Sequence, residues 1–210
     1  MTLENKLDKK IVFATNNLGK LKEAREICAP FGIQLLSIND VRAMHRELPE
    51  YREPEEGEVS YFENAKIKAR ACFDWCGMPC VGDDSGLEVE ALGWGPGIIS
   101  ARYAGSGATA RTNKDKLLLE LANSSTRSAR MRCVLCFKVS AILERCFEGV
   151  LECKIATEER GQGGFGYDPL LIVTGTDRTL AELKDSGFDI ATHRALAFRK
   201  LAAQVEDLVH

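Results

Sequence analysis

The sequence has no apolar run approaching the ~18 residues that a membrane span requires, and it has no excess of positive charge. Its 28 Lys and Arg against 31 Asp and Glu leave a formal net charge of -3. That balance argues against a general nucleic-acid or membrane-surface binder, since both partners select a basic face. No stable nucleic-acid partner and no membrane partner are therefore expected. The first ten residues, MTLENKLDKK, contain no apolar signal region, so the expectation is a cytoplasmic protein. Internal repeats, low-complexity tracts and long linkers are also missing, and residues 1–210 are expected to form a single domain. A chain of this length buries roughly 70% of its unfolded surface and needs no covalent staples.

Cysteine, by contrast, is plentiful, with eight residues. Cys72, Cys76 and Cys80 are spaced by four, and Cys133 and Cys136 form a literal CxxC. Zinc sites of that spelling sit in paired turns, whereas MRCVLCFKV at 131–139 reads as a buried strand. Positions three apart on a strand point to opposite faces, so Cys133 and Cys136 are poorly placed to share a metal. The eight read foremost as core thiols, which behave as small apolar residues, with a metal or disulfide role as the alternative.

Along the chain, IVFAT at 11–15 is a short apolar strand, and a helix follows the turn at Asn16-Asn17-Leu18-Gly19. That helix places Leu21, Ala24, Cys28 and Phe31 on one face. Residues 46–58, RELPEYREPEEGE, form a polar, proline-broken loop. Ser60 and Glu63 spell a capping box for a helix from Tyr61 to about Cys76, stopped by Gly77 and Pro79. Its apolar stripe is Phe62, Ala65, Ala69, Cys72, Phe73 and Cys76. GDDSG at 82–86 reads as a turn before the strand LEVEAL, and GWGPG ends that strand. A helix over about 112–122, an antiparallel pair at 130–139 and 145–156, and a strand LLIV at 170–173 follow. A last helix after Thr192 buries Ala195, Phe198, Leu201, Ala202, Val205 and Leu208. The fold class expected is α/β with a mixed sheet.

Chemistry concentrates at four places. TNNLGK at 15–20 joins a strand to a helix N-terminus, whose unpaired first amides make an anion site. Lys20 and Lys22 lie there against the helix dipole, a penalty that a bound anion would reverse. No Walker loop is present. GQGGFGYDP at 161–169 contains G-x-G-x-x-G but leads into a strand rather than a helix, so the dinucleotide reading fails. Its glycines permit close backbone approach, while Phe165 or Tyr167 offers a stacking face for a base. ATHRA at 191–195 places His193 and Arg194 at a second helix start. Asp83 and Asp84, together with the acidic loop from Glu47 to Glu58, supply oxygen ligands of the kind magnesium takes beside phosphate.

TNNLGK, FENAKIKA, DDSGLEV, PGIISARYAG, GGFGYDP and THR with its helix, in that order, resemble the inosine triphosphate pyrophosphatases from about residue 11 to 205. The resemblance implies an elongated mixed central sheet with flanking helices, two lobes around a substrate cleft, and a cytosolic homodimer. It implies magnesium-dependent hydrolysis of inosine, deoxyinosine and xanthosine triphosphates to the monophosphate and pyrophosphate, which cleanses the nucleotide pool. Carried over by motif, Thr15, Asn16, Asn17, Leu18, Gly19 and Lys20 hold the triphosphate, and Lys68 is a second phosphate lysine. Asp84 is the general base and a metal ligand, with Glu55 and Glu56 the acidic metal pair and Ser85 a substrate contact. Phe165, Gly166, Tyr167 and Asp168 resemble the base pocket, and His193 and Arg194 the donors to the purine 6-oxo group. One position departs. Relatives carry a lysine five residues before their His-Arg pair, where this chain has Phe188. Either Lys184, four residues earlier, reaches the same point, or Phe188 only packs. Two rival readings are a Maf-like nucleotide pyrophosphatase of different base specificity and a non-catalytic nucleotide-binding protein. The GGFGYDP and THR motifs weigh against the first, and Asp84, Lys20 and Lys68 against the second.

Overall fold

The structure is a computed structural model and describes residues 9–57 and 59–205. Two expectations, Glu58 in the acidic loop and Leu208 on the last helix, lie outside those residues. Among the described residues the strands are β1 (Lys10–Ala14), β2 (Gln34–Leu36), β3 (Cys80–Val89), β4 (Gly95–Pro96), β5 (Ser128–Lys138), β6 (Glu144–Ile155) and β7 (Leu171–Val173). The helices are α1 (Leu18–Cys28), α2 (Ile38–Met44), α3 (Tyr61–Cys76), α4 (Ala110–Glu120), α5 (Leu180–Asp185) and α6 (His193–Ala202). The strands are hydrogen-bonded in the order β2-β1-β3-β5-β6-β7, with β4 beside β3. β1 runs parallel to β2 and β3, whereas β3–β4 and β6–β7 are antiparallel, so the sheet is mixed as expected. No helix among the described residues is long and apolar enough to cross a membrane.

The chain forms two compact units. Of the described residues, one comprises 9–57, 59–83, 134–147 and 197–205, and the other 84–133 and 148–196. The core of the first includes Val12, Ala14, Leu36, Ile38, Val41, Cys72 and Cys80, with Leu48, Tyr51 and Trp75 packed against it. Phe13 meets Phe198 edge to face, 5.7 Å between centroids. The second unit buries Leu87, Val89, Leu117, Leu121, Leu151, Ile155, Tyr167, Leu170 and Leu183 together.

The main correction concerns GDDSG, which is no turn. Residues 82–86 lie in the middle of β3, and Val12, Phe13 and Ala14 of β1 pair with Cys80, Val81 and Gly82. Gly82 is there for packing. A Cβ at this position would lie 2.2 Å from the Ala65 carbonyl oxygen and 2.7 Å from the Ala69 nitrogen, so only glycine lets α3 rest backbone to backbone on β3. The α3 stripe holds at Ala65, Ala69 and Cys72, which are buried, and differs at its start. Tyr61 is buried, while Phe62 is 39% exposed, and Ser60 caps the helix by accepting from the Glu63 amide at 3.2 Å. Phe31 falls beyond the end of α1 and is exposed. In α4 the buried residues are Asn113 and Leu117, and Leu119 points to solvent. Burial along α6 and the turn after it follows Ala195, Phe198, Leu201 and Val205, as the spacing predicts.

Candidate active site

The first group of site residues belongs to the first compact unit. Asn17 caps α1 by accepting from the Lys20 amide at 3.0 Å, and its own amide donates to Thr15 Oγ1 at 3.1 Å. The TNNLGK turn therefore holds itself open at a helix N-terminus and uses one of the four orphan amides in doing so. Leu18 and Lys22 are exposed. The Lys20 ammonium forms an ion pair with Asp83, whose side chain is fully buried. Lys68, buried on α3, donates to the Asp83 carbonyl oxygen at 3.1 Å and pairs with Glu56 at 2.8 Å. Asp83 thus ties two lysines from two helices to one strand position, one through its carboxylate and one through its backbone.

The acidic loop is anchored at several points, Lys68–Glu56 among them. Asn16 donates to Glu53 at 3.0 Å, and the Gly57 amide donates to the Asn64 side chain at 2.9 Å. Asn64 is buried on α3, one turn before Lys68. Glu56 is engaged by Lys68, and Glu55 is exposed. Sequence reasoning missed Asp83 as the lysine partner, Glu53 and Asn64. Only Asn64 left a signal, as an amide on a helix face that is otherwise apolar.

The second group belongs to the second unit. Asp84 is buried on β3 next to Asp83 in the chain, and the two carboxylates point to opposite faces because strand side chains alternate. Their repulsion is correspondingly weaker than in a same-face pair. Ser85 accepts from Arg194 Nη2 at 3.0 Å. Arg194 is 1% exposed and His193 is also buried at the start of α6, so neither is a solvated surface side chain. Thr192 sets that start by accepting from the Ala195 amide at 3.1 Å.

Asp168 organises the glycine loop. Its Oδ2 accepts from the Phe165 amide at 3.0 Å and from Lys184 Nζ at 2.8 Å. Gly164, at φ +80°, makes this closure possible, since a Cβ there would lie 2.0 Å from the same oxygen. The Phe165 ring has Lys184 Nζ 5.6 Å and Arg194 Cζ 5.9 Å from its centroid. Tyr167 is buried in the core with its hydroxyl donating to the Ser100 carbonyl at 2.8 Å, and burial pushes its phenol up. Its ring is therefore core packing, and Phe165 is the half-buried aromatic of the pair.

The open question at Phe188 is answered in part by geometry. α5 ends at Asp185 and Gly187 takes φ +68°, so Lys184 and Phe188 do not share a helical face. Phe188 is 57% exposed and so is not buried by packing. Lys184 nevertheless reaches Phe165 and Asp168 from α5.

The first unit offers a helix N-terminus, two lysines and carboxylates, and the second an aromatic ring with two cations near it. This is a mixed α/β protein in which each unit by itself gathers charged side chains around a defined stretch of backbone. The chain belongs to the Ham1 family, whose profile matches residues 11–204. It is 41% identical over 205 residues to a dITP/XTP pyrophosphatase of Thioalkalivibrio sulfidiphilus, covering 94% of this chain and 98% of the relative. It is 38% identical over 200 residues to a dITP/XTP pyrophosphatase of Bacillus subtilis, covering 94% and 98%. Among solved structures, a HAM1 protein from Coxiella burnetii is similar with a TM-score of 0.78 at 35% identity, and the Ham1 protein of Staphylococcus aureus with 0.76 at 34%. Each comparison covers 94% of this chain and 98% of the solved one.

Proposed function

We propose that this protein hydrolyses noncanonical purine nucleoside triphosphates (those of inosine, deoxyinosine and xanthosine) to the monophosphate and pyrophosphate. The observation that carries the residue roles is the position of Asp84. In the chain it stands between Asp83, which holds the two lysines, and Ser85, which accepts from Arg194. The residues from Thr15 to Lys20, with Lys68, receive the triphosphate. Phe165 stacks on the base, and His193 and Arg194 donate to its 6-oxo group. Asp84 takes a proton from the water that attacks the α-phosphorus, pyrophosphate departs, and Lys20 and Lys68 offset the charge growing on it. An adenine presents an amino group to the same donors and leaves them unpaired, a loss sufficient for roughly 10²–10⁴-fold preference.

Magnesium suits the donors that the chain offers, since Asp84, Glu55 and Glu56 are all hard carboxylates and this cation takes one or two of these beside phosphate oxygens. When bound, it would neutralise phosphate charge and favour ionisation of water. We infer further that the protein works in the cytoplasm as a homodimer and that the whole chain acts as one catalytic domain. These inferences rest on the family resemblance.

With magnesium present, the purified protein should release pyrophosphate from ITP, dITP and XTP far faster than from ATP or pyrimidine triphosphates. Coupled detection of pyrophosphate across a nucleotide panel measures this. Orthophosphate with a diphosphate product would move the bond cleavage elsewhere and sink the mechanism. Lys184 is the expected stand-in for the lysine replaced at Phe188. Lys184→Ala should raise KM for ITP by about tenfold or more, as expected for a lost charged donor. Unchanged steady-state kinetics would remove Lys184 from the base pocket.

A further inference from the structure

The end of α3 and the start of β3 bring Cys72, Cys76 and Cys80 together. Cys72 and Cys76 share one helical face four residues apart. Gly77, at φ +66°, then reverses the chain, and Cys80 enters β3 opposite Val12. The Cys80 sulfur lies 3.0 Å from that of Cys72 and 3.6 Å from that of Cys76, and all three sulfurs lie within 4.8 Å of one another. Among the described residues this is the one group of three or more His, Cys, Asp or Glu side chains that converges so closely. Helical spacing accounts for two of the three sulfurs, but the third arrives through the Gly77 reversal, which spacing alone does not reveal.

We propose that Cys72, Cys76 and Cys80 form a binding site for a single thiophilic cation, Zn2+ or Cu(I), separate from the carboxylates assigned to magnesium. Metal–sulfur bonds of about 2.3 Å place the sulfurs of a tetrahedral site about 3.8 Å apart, close to the 3.6 Å between Cys76 and Cys80 and somewhat wider than the 3.0 Å between Cys72 and Cys80. The surroundings select the same class of ion. Val12, Leu36, Ile38 and Val41 are buried in this core, with Tyr51, Trp75 and Met78 against it. A hydrated hard cation finds no oxygen-rich cage in such a place, whereas soft sulfur ligands favour copper(I) and zinc. Cys72 and Cys80 are buried and Cys76 is partly exposed, which gives the cation a way in. A disulfide between two of these residues would leave the third without a role, whereas a cation uses all three.

The experiment takes the full chain, reduced and stripped of metal. It is titrated separately with Zn2+, with Cu(I) supplied as a chelate under argon, and with Co2+ as the spectroscopic probe. We expect one equivalent bound per chain, a sulfur-to-cobalt charge-transfer band, and a melting temperature raised by about 5 °C at saturating metal. Cys76→Ser, at a partly exposed position, should weaken binding by about 100-fold or more and abolish the thermal shift, while Cys146→Ser should leave both unchanged. Zinc and copper(I) competition against chelators of known affinity decides which cation the site prefers. In wild-type protein, bound metal should also protect Cys72, Cys76 and Cys80 together from alkylation, a measurement that does not depend on any variant folding. The proposal is overturned by equal binding in Cys76→Ser and wild type, by alkylation that metal does not slow, or by oxidative loss of two thiols in a chain that binds no metal.

Discussion

Asp84→Asn should retain the fold and lose turnover of ITP by about 10²–10⁴-fold, the range that general-base catalysis supplies. The amide is nearly the same size and replaces a buried carboxylate in mid-strand, so the melting temperature should stay close to that of wild type. It can neither accept the proton of the attacking water nor offer a full negative charge to a hard cation. Asp83→Asn serves as the comparison because its effect has a different origin. It removes the partner that holds Lys20 and leaves the carbonyl that receives Lys68. Its loss should therefore be smaller and should fall more on KM. The two variants are separated by measuring kcat and KM for ITP beside thermal melts. Wild-type kcat in Asp84→Asn would take Asp84 out of the chemistry.

Gly82→Ala should destabilise the protein by about 3 kcal/mol, the upper end of what overpacking usually costs. For a chain of this size that corresponds to a fall in melting temperature of roughly 6–12 °C. The new methyl group would sit 2.2 Å from one backbone atom of α3 and 2.7 Å from another. No side-chain rotation relieves either contact, so helix and strand have to separate. The separation would also draw Lys68 from the Asp83 carbonyl, since both belong to the same pair of elements. Activity should fall together with stability. A calorimetric melt that matches wild type would show that α3 does not rest directly on β3.

What could be read from the sequence depended on range. α3 was legible because its apolar spacing runs through several turns between clear caps, α6 because its spacing repeats from Thr192 onward, and β1 because a short apolar run meets a small-residue turn. β2, three residues long, and α2, seven, carry too little periodicity to be recognised and went unread. The turn assigned at GDDSG failed because glycine has two meanings. It permits unusual backbone angles, and it also permits close approach, and Gly82 is present for the second reason. At the site, the motifs named most of the side chains, but the pairings between them were out of reach. Lys20 finds Asp83 across 63 positions, and Arg194 finds Ser85 across 109. Nothing local in either stretch encodes such a contact. Tyr167 and Phe165 are equally plausible as stacking rings when read as letters, and only burial distinguishes them.

The stretch 82–86 is spelled like a loop, with glycines at both ends and polar residues between, and loops ordinarily accept changes in length. This one is bound by the period of two of β3. One residue gained or lost between Cys80 and Asp83 would exchange the faces of every side chain beyond it. The carboxylate of Asp83 would turn away from Lys20, and a side chain would enter the gap that Gly82 leaves for α3. An insertion or deletion therefore alters every position of the stretch at once. The segment that looks most permissive to a grafted peptide is therefore among the least able to carry one.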